Sequence, residues 1–317
     1  MTKNKGIGHL AALSTIMVWG TTYISTKVLL TDFKPVEILI FRSVIGYILL
    51  FLVKPGKLHL ENRSQEWIFA AAGLCGNCLY FLLENIALTY TLVSNVGVII
   101  SAAPFFTALL SRIFLKEEGK FHLPFFVGFG FAMVGIGMMS FSGSASLQLN
   151  PKGDLLALTA AFVWACYSVL TKKISGCGYS TIRVTRCMFG YGILFMIPAA
   201  VIFDFRPKLT VLMEPVNLLN ILFLGVVASA LGFVTWNFAV QILGAVRTSV
   251  YIYVSPVVTI ITSVLVLHEK LTGVAAAGAG LALTGLILSE GRLDFRLCFT
   301  PNGRNAILKK LKWEKEE

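Results

Sequence analysis

The chain has 317 residues, of which 56% are hydrophobic and only 14% charged, and its mean hydropathy is +0.78. A soluble domain could not hide that much apolar surface, whereas a bilayer accepts it on every outward helix face. The formal net charge of +11 is dispersed between apolar runs and in the C-terminal tail rather than gathered on one stripe. That excludes the footprint of a nucleic-acid-binding protein and reads instead as a topology signal.

A helix needs about 20 consecutive, mostly apolar residues to cross the hydrocarbon core. Runs of that kind predict spans at 8–30, 35–53, 66–90, 93–115, 121–141, 154–174, 180–203, 217–241, 244–267 and 271–290. No small-residue cleavage pattern follows the first run, so it reads as a retained span. Span 1 sets Thr15, Trp19, Thr22 and Thr26 on one helical face, and span 2 holds Arg42 seven residues from its outer end. Span 3 aligns Asn77, Tyr80 and Glu84, and span 4 carries Pro104 near its middle. Span 5 contains Gly128-Phe-Gly130, matched in span 10 by Gly278-Ala-Gly280. Neither run follows a strand, so close helix packing is expected there rather than a dinucleotide loop. Span 6 carries Trp164 and span 7 Arg186; span 8 aligns Ser229, Gly232 and Trp236. Span 9 aligns Thr248, Tyr251, Ser255, Thr259 and Thr262 around Pro256. The tail 291–317 sets Ile307, Leu308, Leu311 and Trp313 among lysines, which suits either a short helix on an anionic inner leaflet or a disordered basic tail.

Basic residues orient the spans. With the N-terminus inside, 19 lysines and arginines fall on the cytoplasmic side and 6 outside, with Arg42 and Arg186 left within spans. Both termini are therefore expected in the cytoplasm. The cysteines form no framework: Cys75-Gly-Asn-Cys78 has redox or zinc spacing but lies in a span with no further ligands near. His9, His59, His122 and His268 are scattered without ligand spacing, so neither metal nor cofactor is expected.

The halves repeat in order. A shift of 145 lays Val18-Trp19 on Val163-Trp164, and a shift of 144 lays Arg42 on Arg186 and Gly46-Tyr47 on Gly190-Tyr191. A shift of 152 matches Gly73 with Gly225, Asn85 with Asn237, Pro104 with Pro256 and Glu117 with Glu269; a shift of 150 matches Gly128 and Gly135 with Gly278 and Gly285. Five spans per half is an odd number, so the second half enters the membrane upside down. The fold expected is an all-α membrane protein of ten transmembrane helices: one five-helix repeat over 8–141, an inverted one over 152–290, and a basic cytoplasmic tail. Inverted repeats are a signature of alternating-access transporters.

The motifs also resemble a known family. Val18-Trp19-Gly20, the run from Asn85 to Thr91, Pro104 and the Leu115-Lys-Glu117 ending are similar to the first repeat of EamA-type transporters. Trp236-Asn-Phe-Ala, Pro256 and the Leu267-His-Glu-Lys-Leu-Thr run are similar to the second. The resemblance covers residues 8–290 and implies a ten-helix carrier of the drug/metabolite transporter superfamily in the plasma membrane. It further implies a central cavity lined mainly by spans 1, 3, 4, 6, 8 and 9, with export the commoner direction.

The residues expected to face such a cavity from the first half are Trp19, Tyr23, Tyr80 and Glu84. Those from the second are Trp164, Trp236, Tyr251 and Ser255. Pro104 and Pro256 each remove a helix hydrogen bond and are expected as paired hinges, as sources of freed carbonyls facing the pathway, or as static kinks. A charge at the centre of a span costs about 2.5–3.5 kcal/mol on insertion scales, so Arg42, Glu84 and Arg186 need partners or a purpose. Arg42 and Glu84 both lie roughly 10 Å below the outer surface, counting 1.5 Å per residue, and are expected to pair. If transport is proton-coupled, Glu84 is the expected carrier, with proton binding releasing Arg42. One acid and few deep cations favour a small zwitterionic or neutral substrate, such as an amino acid or related metabolite. A nucleotide-sugar or sugar-phosphate exchanger would want more convergent Lys or Arg. An intramembrane enzyme would want paired carboxylates or a nucleophile–base set, and neither is present.

Overall fold

The computed structural model describes residues 2–56, 58, 65–91, 93–115, 123–141, 150–207, 209–267 and 272–289. Expectations about Glu117, Glu269, most of the 142–153 loop and the 291–317 tail fall outside these residues. Among the described residues every regular element is helical. We label the rods α1 (Thr2–Leu29), α2 (Pro35–Val53), α3 (Glu66–Tyr90), α4 (Val93–Ile100 and Ala103–Phe114) and α5 (Leu123–Phe141). The second half follows as α6 (Pro151–Ser175), α7 (Thr181–Ile202), α8 (Pro215–Leu243), α9 (Ala245–Ser249, Val250–Val254 and Ser255–Leu267) and α10 (Gly273–Ser289). Seven of the helices are long and apolar enough to cross a membrane, and the apolar stretches in α5 and α10 are shorter. Large apolar side chains such as Leu10, Leu52, Leu155 and Val201 point outward and are 64–78% exposed. Such a surface is stable only against lipid, so the chain is a multi-pass membrane protein.

Local chemistry starts the rods where prolines and caps allow. Pro35, Pro151 and Pro215 occupy first-turn positions, where a missing N–H costs nothing. Glu37 turns back to accept from the Lys34 backbone N–H (2.8 Å), and the Asn150 side chain accepts from the Gly153 N–H (3.2 Å). Between α8 and α9 the chain reverses through Gly244 alone, at φ +91°, a conformation that favours glycine.

Packing pairs helices across the halves in a reciprocal pattern. α1 packs on α8 and α3 on α6; α2 meets the middle of α8, and α7 meets the middle of α3; α4 lies on α6, and α9 on α1. The tightest crossing joins α5 to α10. A Cβ added to Gly128 would lie 2.6 Å from the Gly285 carbonyl oxygen, and one added to Gly278 would lie 2.6 Å from that of Gly135. These two contacts exchange repeat-equivalent glycines, and they run antiparallel. Gly130 and Gly280, two residues further on, have open space around them. Close packing, expected of both glycines in each run, is thus confined to Gly128 and Gly278, because two residues turn a helix by about 200°.

Two features escaped the sequence. α3 is π-helical over Leu74–Leu79, and α8 is π-helical over Phe223–Leu231. The shift of 152 places Asn77 in the first of these segments and Ser229 in the second, and wide turns of this sort concentrate at functional sites. The breaks near the prolines also lie upstream of where a mid-span kink was expected. Pro104 and Pro256 each stand in the first turn of a new helical segment, after a turn at Ser101–Ala102 and a 3-10 stretch at Val250–Val254.

Asn237, singled out by the repeat, links three helices. It accepts from the Tyr167 hydroxyl on α6 (2.5 Å) and donates to Thr185 Oγ1 on α7 (2.9 Å). Asn237→Leu keeps the volume but strands the Tyr167 hydroxyl. We expect a loss of about 1–4 kcal/mol of stability, taking 0.6–2 kcal/mol for each of the two interhelical hydrogen bonds. Denaturant unfolding in detergent checks this; an unchanged midpoint would show that the network contributes nothing.

Candidate functional site

A cavity opens between the two halves. Its first-half wall includes Trp19 and Tyr23 from α1, Arg42 from α2, and Tyr80, Phe81 and Glu84 from α3. The second half supplies Trp164 from α6 with Ile252 and Ser255 from α9.

The aromatic side of the site is built around Trp19. Its ring meets Trp164 edge-on at 5.2 Å, and Trp164 in turn meets Tyr80 at 4.7 Å. Trp19 and Trp164 are repeat equivalents, so the two halves present matching indoles to one another. The Trp19 indole N–H donates to the Ala228 carbonyl in the π segment of α8 (2.9 Å), whereas the buried Trp164 N–H meets no acceptor among the described residues. Trp236 does not reach the wall as expected. It is fully buried behind the pair, 5.1 Å from Trp19 and 5.7 Å from Trp164. Tyr251 is also absent from the wall. Its hydroxyl meets His9 Nδ1 at 2.7 Å, tying α9 to the N-terminal part of α1, while its neighbour Ile252 faces the cavity.

Arg42 and Glu84 share the cavity, but the expected ion pair between them is absent among the described residues. Arg42, 2% exposed, donates Nε to Ser229 Oγ (3.0 Å) and lays its guanidinium 3.9 Å from the Phe81 ring centroid. Glu84 accepts from the Tyr80 hydroxyl (2.9 Å), with the Tyr23 hydroxyl beside it. Depth follows from residue count, but direction depends on how each helix is rotated. The packing of α2 against α8 aims Arg42 at Ser229 instead.

Arg186, the repeat equivalent of Arg42, is turned to a different task. Its Nη1 donates to the Lys54 carbonyl (2.6 Å) and its Nη2 to the Gly56 carbonyl, so it closes the C-terminal end of α2. It does not line the cavity. Each proline removes the hydrogen bond to the carbonyl four residues earlier. Those residues are Ile100 and Ile252, and both lie on the cavity wall. The prolines themselves do not, so their effect on the site is carried by the backbone. Counting four back from each proline would have found these two isoleucines from sequence; nothing there marked Phe81.

A helical membrane bundle that keeps an arginine and a glutamate at one internal cavity has the construction of a solute transporter. The chain belongs to the EamA-like transporter family, which matches residues 6–141 and again 151–290. It is 26% identical to an uncharacterized transporter of Archaeoglobus fulgidus, over 90% of this chain and 97% of that one. It is 25% identical to a probable amino-acid metabolite efflux pump of Escherichia coli, over 93% and 98% of the two chains. A probable terminal-alkyne amino-acid exporter of Streptantibioticus cattleyicolor is 24% identical, over 89% and 93%. A solved crystal structure with 18% identity shares the fold, at a TM-score of 0.71 over 91% of this chain and 96% of that one. The protein is a transporter and not an enzyme.

Proposed function

We propose that this chain is a secondary carrier that exports an amino acid or a related small metabolite across the plasma membrane by alternating access. The observation that carries this reading is a cavity walled by both halves that holds one arginine, one glutamate and facing indoles. A zwitterion matches that charge pattern, and two relatives are named for amino-acid export. A nucleotide-sugar or sugar-phosphate exchanger fits less well, since Arg186 is occupied by backbone carbonyls and Lys27 Nζ donates to the Leu88 carbonyl (3.2 Å).

In this reading ten spans form two inverted five-helix repeats, 8–141 and 152–290, with both termini cytoplasmic. The antiparallel, reciprocal contact of α5 with α10 supports it, because a two-fold axis in the membrane plane generates such an exchange. The first turns of α9 pack against the second segment of α4, and His9 meets Tyr251 at the same end. With the N-terminus inside, that end is cytoplasmic, and exchange of sides requires these contacts to part. Coupling falls to Glu84: the carboxylate accepts from Tyr80, and the protonated form would become a donor, loosening its hold on the tyrosines and on the field of Arg42.

Counterflow in proteoliposomes tests the function. Vesicles preloaded with unlabelled L-amino acids should transiently concentrate at least one labelled counterpart. Absence of counterflow for all twenty would overturn the amino-acid reading. A fusion reporter in the 142–153 loop should register outside; a cytoplasmic signal would overturn the inverted arrangement.

A further inference from the structure

Resting on the carrier reading for its cavity, we propose that Arg42 is the carboxylate anchor of the substrate, which makes a free carboxylate beside an apolar body the required chemistry of the cargo. A guanidinium offers five N–H donors in a rigid plane. Here Nε is bound to Ser229 Oγ (3.0 Å) and the Phe81 ring sits 3.9 Å from the guanidinium carbon, covering one face. No acceptor among the described residues meets Nη1 or Nη2, and no carboxylate pairs with the group.

A membrane-depth arginine with no carboxylate in contact is unusual, because such charges are normally paired within the protein. The remaining free edge of Arg42 is the end-on fork, whose two parallel donors match the two oxygens of a carboxylate. Its side-on edge is closed by Ser229, so the fork has one orientation. The residue that fixes it lies in the π segment of α8, which gives that wide turn a purpose. Arg186 shows the contrast: its own fork is satisfied by the Lys54 and Gly56 carbonyls.

The rest of the wall agrees. Trp164, 3% exposed, carries a second donor that meets no acceptor among the described residues, its indole N–H. Trp19, Phe81, Ile100 and Ile252 offer apolar surface for a side chain. A dianionic phosphate would meet only one positive charge here, whereas a carboxylate meets one charge with one charge.

The test is a thermal-shift screen of the purified full-length protein against the twenty L-α-amino acids, each paired with its α-amide. At least one acid should raise the melting temperature, and its amide should not. Arg42→Gln should weaken that acid about 10- to 100-fold, the range for losing charge-assisted hydrogen bonds. If Arg42→Gln does not fold, Arg42→Lys carries the test: it keeps the charge, loses the fork, and should weaken the acid about tenfold. The proposal is overturned if no acid shifts the protein, if amides match their acids, or if the Arg42 variants bind the acid at full strength. Counterflow separates this from the carrier reading. Transport of amides with Arg42→Gln unimpaired would sink the anchor and keep the carrier. Fork-dependent acid binding without any counterflow would keep the anchor and sink the carrier.

Discussion

Glu84→Gln should abolish pH-driven accumulation of substrate while leaving counterflow exchange intact. One proton coupled to one substrate across a one-unit pH gradient sustains about a tenfold concentration ratio, since each unit is worth about 1.4 kcal/mol. The variant should bring that ratio to unity. The substitution is suitably narrow: glutamine keeps the shape of Glu84 and can still accept from Tyr80, whose hydroxyl now lies 2.9 Å from Oε1. It removes the negative charge together with the capacity to gain and lose a proton. The groups facing it are Tyr80, Tyr23 and, across the cavity, Arg42. Accumulation and counterflow would be measured on the same proteoliposomes, with and without an imposed gradient. Normal accumulation by Glu84→Gln would return Glu84 to a packing role held by two tyrosines.

The largest stability effect is expected at the α5–α10 crossing. Gly135→Val should cost about 3 kcal/mol or more, the upper range for overpacking. Its Cβ would sit 2.6 Å from the Ala282 backbone nitrogen, and a main chain cannot rotate aside as a side chain can. The two helices would have to separate. Gly130→Val is the control, since nothing lies within 4 Å of a Cβ there and it sits on an exposed face; a change within about 0.5 kcal/mol is expected. Denaturant unfolding and size-exclusion profiles in detergent would compare the two. Equal behaviour would show that the crossing tolerates separation and contributes little to holding the halves together.

Much of the site was visible in the chain because repetition and periodicity report on spacing. The shift of 145 marked Trp19 and Trp164 as equivalents, and their rings meet edge-on at 5.2 Å. The depth of Arg42 and Glu84 followed from 1.5 Å per residue, and both line one cavity. The pairing between them could not be read that way, because a partner depends on how two helices are rotated about their own axes. Trp236 illustrates the same gap. Its helical stripe turned it away from lipid, yet away from lipid proved to mean the packed interior behind Trp19 rather than the cavity wall.

Composition and order of residues by themselves determined a helical membrane protein with a duplicated plan, because bilayer burial requires long apolar runs and duplication leaves collinear matches. The prolines likewise marked that α4 and α9 would be interrupted, since a missing N–H is a local property, while the breaks themselves fall just upstream of them. Only the tertiary structure decided what each equivalent pair became. The π segments of α3 and α8 have no sequence signature, and they set which side chains meet across the halves. Thus Arg42 found a hydroxyl and an aromatic face at the cavity, while Arg186, its equivalent by sequence, found the carbonyls at the end of α2. Which donors of a membrane charge find partners depends on neighbours that folding brings together, and Ser229, Lys54 and Gly56 each lie more than a hundred residues from the arginine they meet.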